Sequence, residues 1–147
     1  MQRLTSLTLL LLALLLPLQG MAENSTKAEG YTIHHNALPV TTLSPDIATT
    51  YNLIRSKYRG LINISVIKDI PNTTGKAVSA RVDAYSTNLI GKRHNIKLRE
   101  IREKEAIYYI GDFPIVDQET LKFFLEVQPE GHDTPIKTTL SQEFFID

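Results

Sequence analysis

The sequence predicts an all-β domain: a seven-stranded antiparallel sandwich with one short helix after the first strand. Three observations predict it. Apolar residues alternate with polar ones at Leu121, Phe123, Leu125 and Val127 and again at Ile62, Ile64 and Val66, the two-residue period of half-buried strands. Turn residues recur between such runs, a cadence typical of sandwiches. Only one segment, beginning Ser44-Pro45-Asp46, carries a helix start, with Ser as N-cap and Pro at the first helical position.

The chain opens on Met1-Gln2-Arg3 and an uncharged apolar stretch from Leu4 to Leu18. Its apolar core is shorter than the ~20 residues a bilayer span needs and falls within the range of a secretory signal. Pro17 breaks the run, and Gly20-Met21-Ala22 supplies small residues for a peptidase. The reading is therefore a signal peptide over residues 1–22, cleaved after Ala22, then a flexible polar leader over 23–29 and one domain over 30–147. The whole sequence balances 16 Lys and Arg against 16 Asp and Glu. Cleavage removes Arg3 alone among them, so the product is near neutral and nucleic acid is not an expected partner. There is no cysteine. That excludes a lipidated N-terminus, a disulfide framework and thiol chemistry, and it favours a bacterial periplasm over eukaryotic secretion. No membrane anchor is expected after cleavage. Asn-x-Ser/Thr triplets at Asn24, Asn63 and Asn72 are read as chance occurrences.

Tyr31 to Ala37 alternates as a first strand, with Ile33, His35 and Ala37 opposite Thr32, His34 and Asn36. The helix then places Ile47, Tyr51 and Ile54 on one face against the sheets and ends near Asn52. Gly60 begins the second strand, and Pro71-Asn72-Thr73-Thr74-Gly75 turns it into a third carrying Val78, Ala80, Val82 and Ala84. Ile96 and Leu98 define the fourth, before a turn at Arg102-Glu103-Lys104-Glu105. The fifth, Ile107 to Phe113, is apolar on both faces, as a central strand or one bulging at Gly111 would be. Leu121 to Val127 is the sixth, and Ile136, Leu140 and Phe144 mark the seventh. Phe124 stands alone as a large apolar residue on the polar face of the sixth strand, which calls for a helix or a partner to cover it.

Candidate site residues are few. His34, Asn36, Arg55, Ser56 and Lys57 flank the helix at both ends, where loops on a rigid scaffold commonly carry binding. His34 with His94 or His132 is a weaker possibility for copper or zinc, and the spacing matches no chelating signature. His34 and His35 are adjacent in a strand and leave opposite faces, so they cannot close on one ion. No Ser or Thr sits in a nucleophile elbow. No cofactor and no catalytic residue is assigned.

Tyr31-Thr32-Ile33-His34-His35-Asn36-Ala37, Leu43-Ser44-Pro45, Ile54-Arg55-Ser56-Lys57, Asn63-Ile64-Ser65-Val66, Ala106-Ile107-Tyr108-Tyr109-Ile110 and Val127-Gln128-Pro129 together resemble a gram-negative bacterial family of exported proteins, the domain of unknown function 4426 type. The resemblance covers nearly the whole mature chain. It implies a periplasmic location and an aromatic residue where this chain has His35, and it assigns no activity. Strands three to seven also resemble immunoglobulin-like modules, an analogy of fold alone. The functions weighed, in order, are a non-enzymatic periplasmic module binding a ligand or another envelope protein, a copper- or zinc-handling protein using its histidines, and a small hydrolytic enzyme.

Overall fold

The computed structural model describes residues 24–147 as two antiparallel sheets with almost no helix. The expected signal peptide and its cleavage after Ala22 lie outside the described residues. Ten strands are present among the described residues: β1 (Ser25–Ala28), β2 (Tyr31–Pro39), β3 (Arg59–Lys68), β4 (Lys76–Ala77), β5 (Ala80–Thr87), β6 (Arg93–Ile96), β7 (Arg99–Glu103), β8 (Ala106–Pro114), β9 (Glu119–Pro129) and β10 (Ile136–Phe144). The first sheet runs β1-β2-β3-β8-β7 with β4 beside β3, and the second runs β10-β9-β5-β6.

The count of seven is corrected to ten for three physical reasons. Residues 25–28 are a strand rather than a flexible leader: β1 pairs along β2, and Thr26 Oγ1 lies 3.0 Å from His35 Nε2 and 2.6 Å from Thr138 Oγ1. Lys76–Ala77 adds a two-residue strand against β3. The expected fourth strand divides at Lys97–Leu98, where the chain leaves β5 in one sheet and joins β8 in the other.

The inward residues of both sheets form one core, including Ile33, Ile62, Ile64 and Val66 from the first and Leu121, Phe123, Leu125 and Val127 from the second. Phe113 meets Phe123 and Phe144 edge to face, with ring centroids 4.9 and 5.6 Å apart. Such pairs add packing specificity beyond the area they bury. β8 is continuous opposite β3 through Gly111, so that glycine marks no bulge. It lies where a Cβ would stand 2.7 Å from the Lys97 carbonyl oxygen, and close approach is the reason for it.

Between β2 and β3 the chain crosses the outer face of the first sheet. A 3-10 turn (Val40–Thr42) leads to the helix α1 (Pro45–Thr50), whose N-cap Ser44 accepts a 3.3 Å hydrogen bond from the Ile47 N–H. The expected helix face does not hold. Ala48, 2% exposed, is the residue α1 buries, while Ile47 is 45% and Ile54 71% exposed. Val40, Leu61 and Ile110 form a second small core beneath this segment, with Leu43, Tyr51 and Tyr108 packed on it. This cover explains why β8 is apolar on both parities.

Candidate functional site: a lidded pocket on the first sheet

Strands β3, β8 and β7 present Leu61, Asn63, Tyr108, Ile110, Ile101 and Glu103 outward under the crossing segment, and Leu43 and Tyr51 close over them. The result is a pocket of about 210 Å³. Its lining is mostly aliphatic and aromatic. Asn63 and Glu103 are the exceptions, and the Asn63 side chain is the one of the two without a partner for its oxygen. Its Oδ1 is buried and has no hydrogen-bond partner. A buried acceptor left unpaired costs about 1–3 kcal/mol, so its retention asks for a donor.

The lid is held at two points. Tyr51, which ends α1, donates its hydroxyl to Glu103 Oε1 at 2.5 Å. By accepting that bond the carboxylate pushes the Tyr51 phenol above its ordinary ionisation range, and partial desolvation adds to it. Arg55 donates from Nε to the Leu43 carbonyl at 2.9 Å and from Nη2 to the Thr41 carbonyl at 3.2 Å. A charged fork on two carbonyls fixes the loop that carries Leu43.

The five residues singled out from sequence do not share one cavity. Asn36 stands exposed opposite Asn63 in the β2–β3 register, and Arg55 touches the pocket through the backbone it holds. Ser56 Oγ accepts from the Tyr58 N–H at 3.2 Å, and Lys57 Nζ lies 5.3 Å from the Tyr58 ring centre, both local contacts. His34 is opposite Ser65, further along β3 from its start, and lines a different groove with Ser25, Thr32 and Asp69. Asn63, Tyr51 and Glu103 were not singled out from sequence. The one signal for this site was the apolar content of both parities of β8, which required a cover.

The histidines are dispersed. His34 is on β2, His94 on the edge strand β6, and His132 in the β9–β10 turn, where Nε2 lies 2.6 Å from Glu29 Oε2. Among the described residues no three His, Cys, Asp or Glu side chains could hold a metal ion together. His35 is buried, and desolvation lowers its pKa. Tyr109 is raised by burial, accepts from the Ala80 N–H at 2.8 Å and so ties strands together.

A larger groove of about 570 Å³ crosses the outer face of the second sheet. Phe124 lies here and no helix covers it: Tyr85 stacks on it with ring centres 4.8 Å apart and planes 10° from parallel. Arg93 sits 3.7 Å over the Tyr85 ring and Lys122 Nζ 5.2 Å from Phe124. Cations therefore close both ends of the stack.

The model of a domain of unknown function, DUF4426, matches residues 25–147. The chain belongs to the DUF4426 family. A DUF4426 protein from Pseudomonas aeruginosa PAO1 has a similar solved structure, with a TM-score of 0.72 at 30% identity over 84% of this chain and 94% of that one. FetP from uropathogenic Escherichia coli strain F11, expressed recombinantly in the E. coli periplasm, is similar with a TM-score of 0.60 at 8% identity, over 82% of this chain and 92% of its own. A copper-bound variant of FetP gives 0.61 at 8% identity, over 84% and 95%. At that identity the FetP likeness is one of fold. Among curated proteins none matches this DUF4426 sequence.

Proposed function

We propose that this DUF4426 protein is a non-enzymatic binding module of the periplasm whose site is the lidded pocket of the first sheet. The ligand class is a small, mostly apolar molecule bearing one hydroxyl or N–H group. The observation that carries this reading is the buried, unpaired Asn63 Oδ1 beside a pocket whose other polar side chain, the Glu103 carboxylate, is engaged by the Tyr51 hydroxyl. Pockets of this kind bind by apolar contact and orient by a few polar groups. The pocket volume limits the occupant to about the size of a single substituted ring.

The signal peptide expected from the sequence over residues 1–22, and the periplasmic expression of FetP, support the location. We further propose an immunoglobulin-like sandwich. With β2, β3, β8 and β7 in one sheet and β10, β9, β5 and β6 in the other, the order parallels strands A-B-E-D and G-F-C-C′. The metal-handling reading has behind it the fold likeness to copper-bound FetP, and the separation of His34, His94 and His132 weighs against it.

Phenol tests the pocket because its ring suits the lining and its hydroxyl can donate to Asn63. Titrated into labelled protein, it is expected to shift the amide resonances of Leu43, Asn63, Ile101 and Tyr108 together. Shifts confined to the outer face of the second sheet, or none, would reject the assignment.

A further inference from the structure

The β5–β6 hairpin ends in a turn that displays two apolar side chains to solvent. Leu89 is 87% and Ile90 88% exposed. The turn is well held: Gly91 N–H donates to the Asn88 carbonyl at 2.9 Å, Lys92 N–H to Asn88 Oδ1 at 2.8 Å, and Asn88 N–H to the Lys92 carbonyl at 3.2 Å. Gly91 takes the positive φ of 81° that closes it. Central turn positions ordinarily carry polar residues, so a fixed Leu-Ile pair is unusual. Single exposed apolar residues need no explanation, but two adjacent ones on a protruding tip do.

What stands directly behind the tip identifies the surface it meets. The last cross-strand row before the turn places Arg93, Thr87, Lys122 and Ser141 side by side across β6, β5, β9 and β10. It holds two cations and no acid, and Lys92 follows the turn itself. The cations are braced, Arg93 by the Tyr85 ring and Asn95 Oδ1 and Lys122 by Phe124. Four acidic residues also stand at this end, Asp117 and Glu119 at the start of β9 and Glu143 and Asp147 at the end of β10, where the Ile146 N–H donates to Asp117 Oδ1; all lie toward the opposite edge of the sheet from β6. Two to three residues of chain separate the tip from the row, so the apolar pair stands in front of the cations. Apolar groups in front of cations is the order in which a bilayer interface takes them, the apolar groups entering the acyl boundary while the cations stay at the headgroups.

We infer that the β5–β6 edge docks this domain onto an anionic lipid surface, with Leu89 and Ile90 entering the acyl boundary and Lys92, Arg93 and Lys122 contacting headgroup phosphates. The contact is peripheral and reversible, since two side chains make no anchor. It is independent of the lidded pocket, which lies on the other sheet.

Co-sedimentation with vesicles of phosphatidylglycerol or phosphatidylcholine tests it at low and physiological salt. The protein is expected to pellet with the anionic vesicles and far less with the zwitterionic ones. The double variant L89S/I90S should lower anionic binding roughly tenfold or more with an unchanged melting temperature, because both side chains are exposed. The variant K92Q/K122Q should weaken binding and flatten its salt dependence. Any contribution from the N-terminus is common to all three proteins and cancels in the comparison. Anionic vesicles that fail to pellet the wild type, or that pellet L89S/I90S equally well, would overturn the inference. So would loss of a self-associated species in L89S/I90S with vesicle binding intact, which would give the tip to a second copy of the chain.

Discussion

The Tyr51 hydroxyl donates to Glu103 Oε1 at 2.5 Å, joining the residue that ends α1 to the strand at the far side of the pocket. This contact and the Arg55 fork on Thr41 and Leu43 are the two polar fastenings of the lid. Removing the first tests whether it acts as a latch. Tyr51→Phe should cost about 1 kcal/mol or less, since the bond is solvent-exposed, while amide hydrogens of residues 40–53 exchange faster. The phenol is held above its usual range, so the contact is intact below about pH 10 and lost as pH rises through the raised value. Tyr51 and Tyr109 should be the late-ionising tyrosines in a spectrophotometric titration, and the variant should remove one of them.

Asn63→Leu is a nearly isosteric change that removes the unpaired acceptor while keeping the pocket's size. The variant should be more stable than the wild type by about 1–3 kcal/mol, read from the denaturation midpoint. Most core substitutions destabilise, so a gain would mark a position kept for binding at the expense of stability.

Much of the fold was legible because burial leaves a two-residue period. Leu121 to Val127 on β9 and Ile62 to Val66 on β3 face the core as their spacing requires. β1 was not legible. Ser25-Thr26-Lys27-Ala28 has no apolar alternation, and what holds it is backbone pairing with β2 and the Thr26 hydroxyl. The helix misled for a related reason: Ile47 and Ile54 carry the strong hydropathy signal, but the small Ala48 is what fits against the sheet. The pocket was not legible. Asn36 is paired with Asn63 across β2 and β3 and Arg55 holds the Leu43 carbonyl, but neither lines the pocket, and Asn63 gave no signal because its cover arrives from a distant segment.

His35 gives the fold a pH dependence. Burial lowers its pKa below the ordinary value near 6.5, so between that lowered value and about pH 6.5 the unfolded chain binds more protons. Stability therefore rises with pH through this window, is complete above it, and falls on acidification. His35→Phe, which installs the aromatic side chain that the family resemblance implies at this position, should flatten the dependence of melting temperature between pH 7 and 5. Thr26 Oγ1 keeps Thr138 as a partner in that variant, which limits the cost.

Gly60 faces the inner aromatic cluster, and a Cβ there would lie 2.4 Å from Phe113 Cε2. Gly60→Ala should destabilise by about 1–3 kcal/mol through overpacking. A lowered denaturation midpoint at constant slope checks it.

If Asn63 makes the pocket selective for a donor-bearing apolar ligand, phenol and toluene must part in their binding to the wild type and not to Asn63→Leu, as calorimetry or chemical-shift titration would read. The wild type should prefer phenol by about tenfold, the worth of a buried acceptor gaining a donor, and Asn63→Leu should bind the two alike. Equal binding of both by the wild type, or a phenol preference that survives in Asn63→Leu, would contradict it.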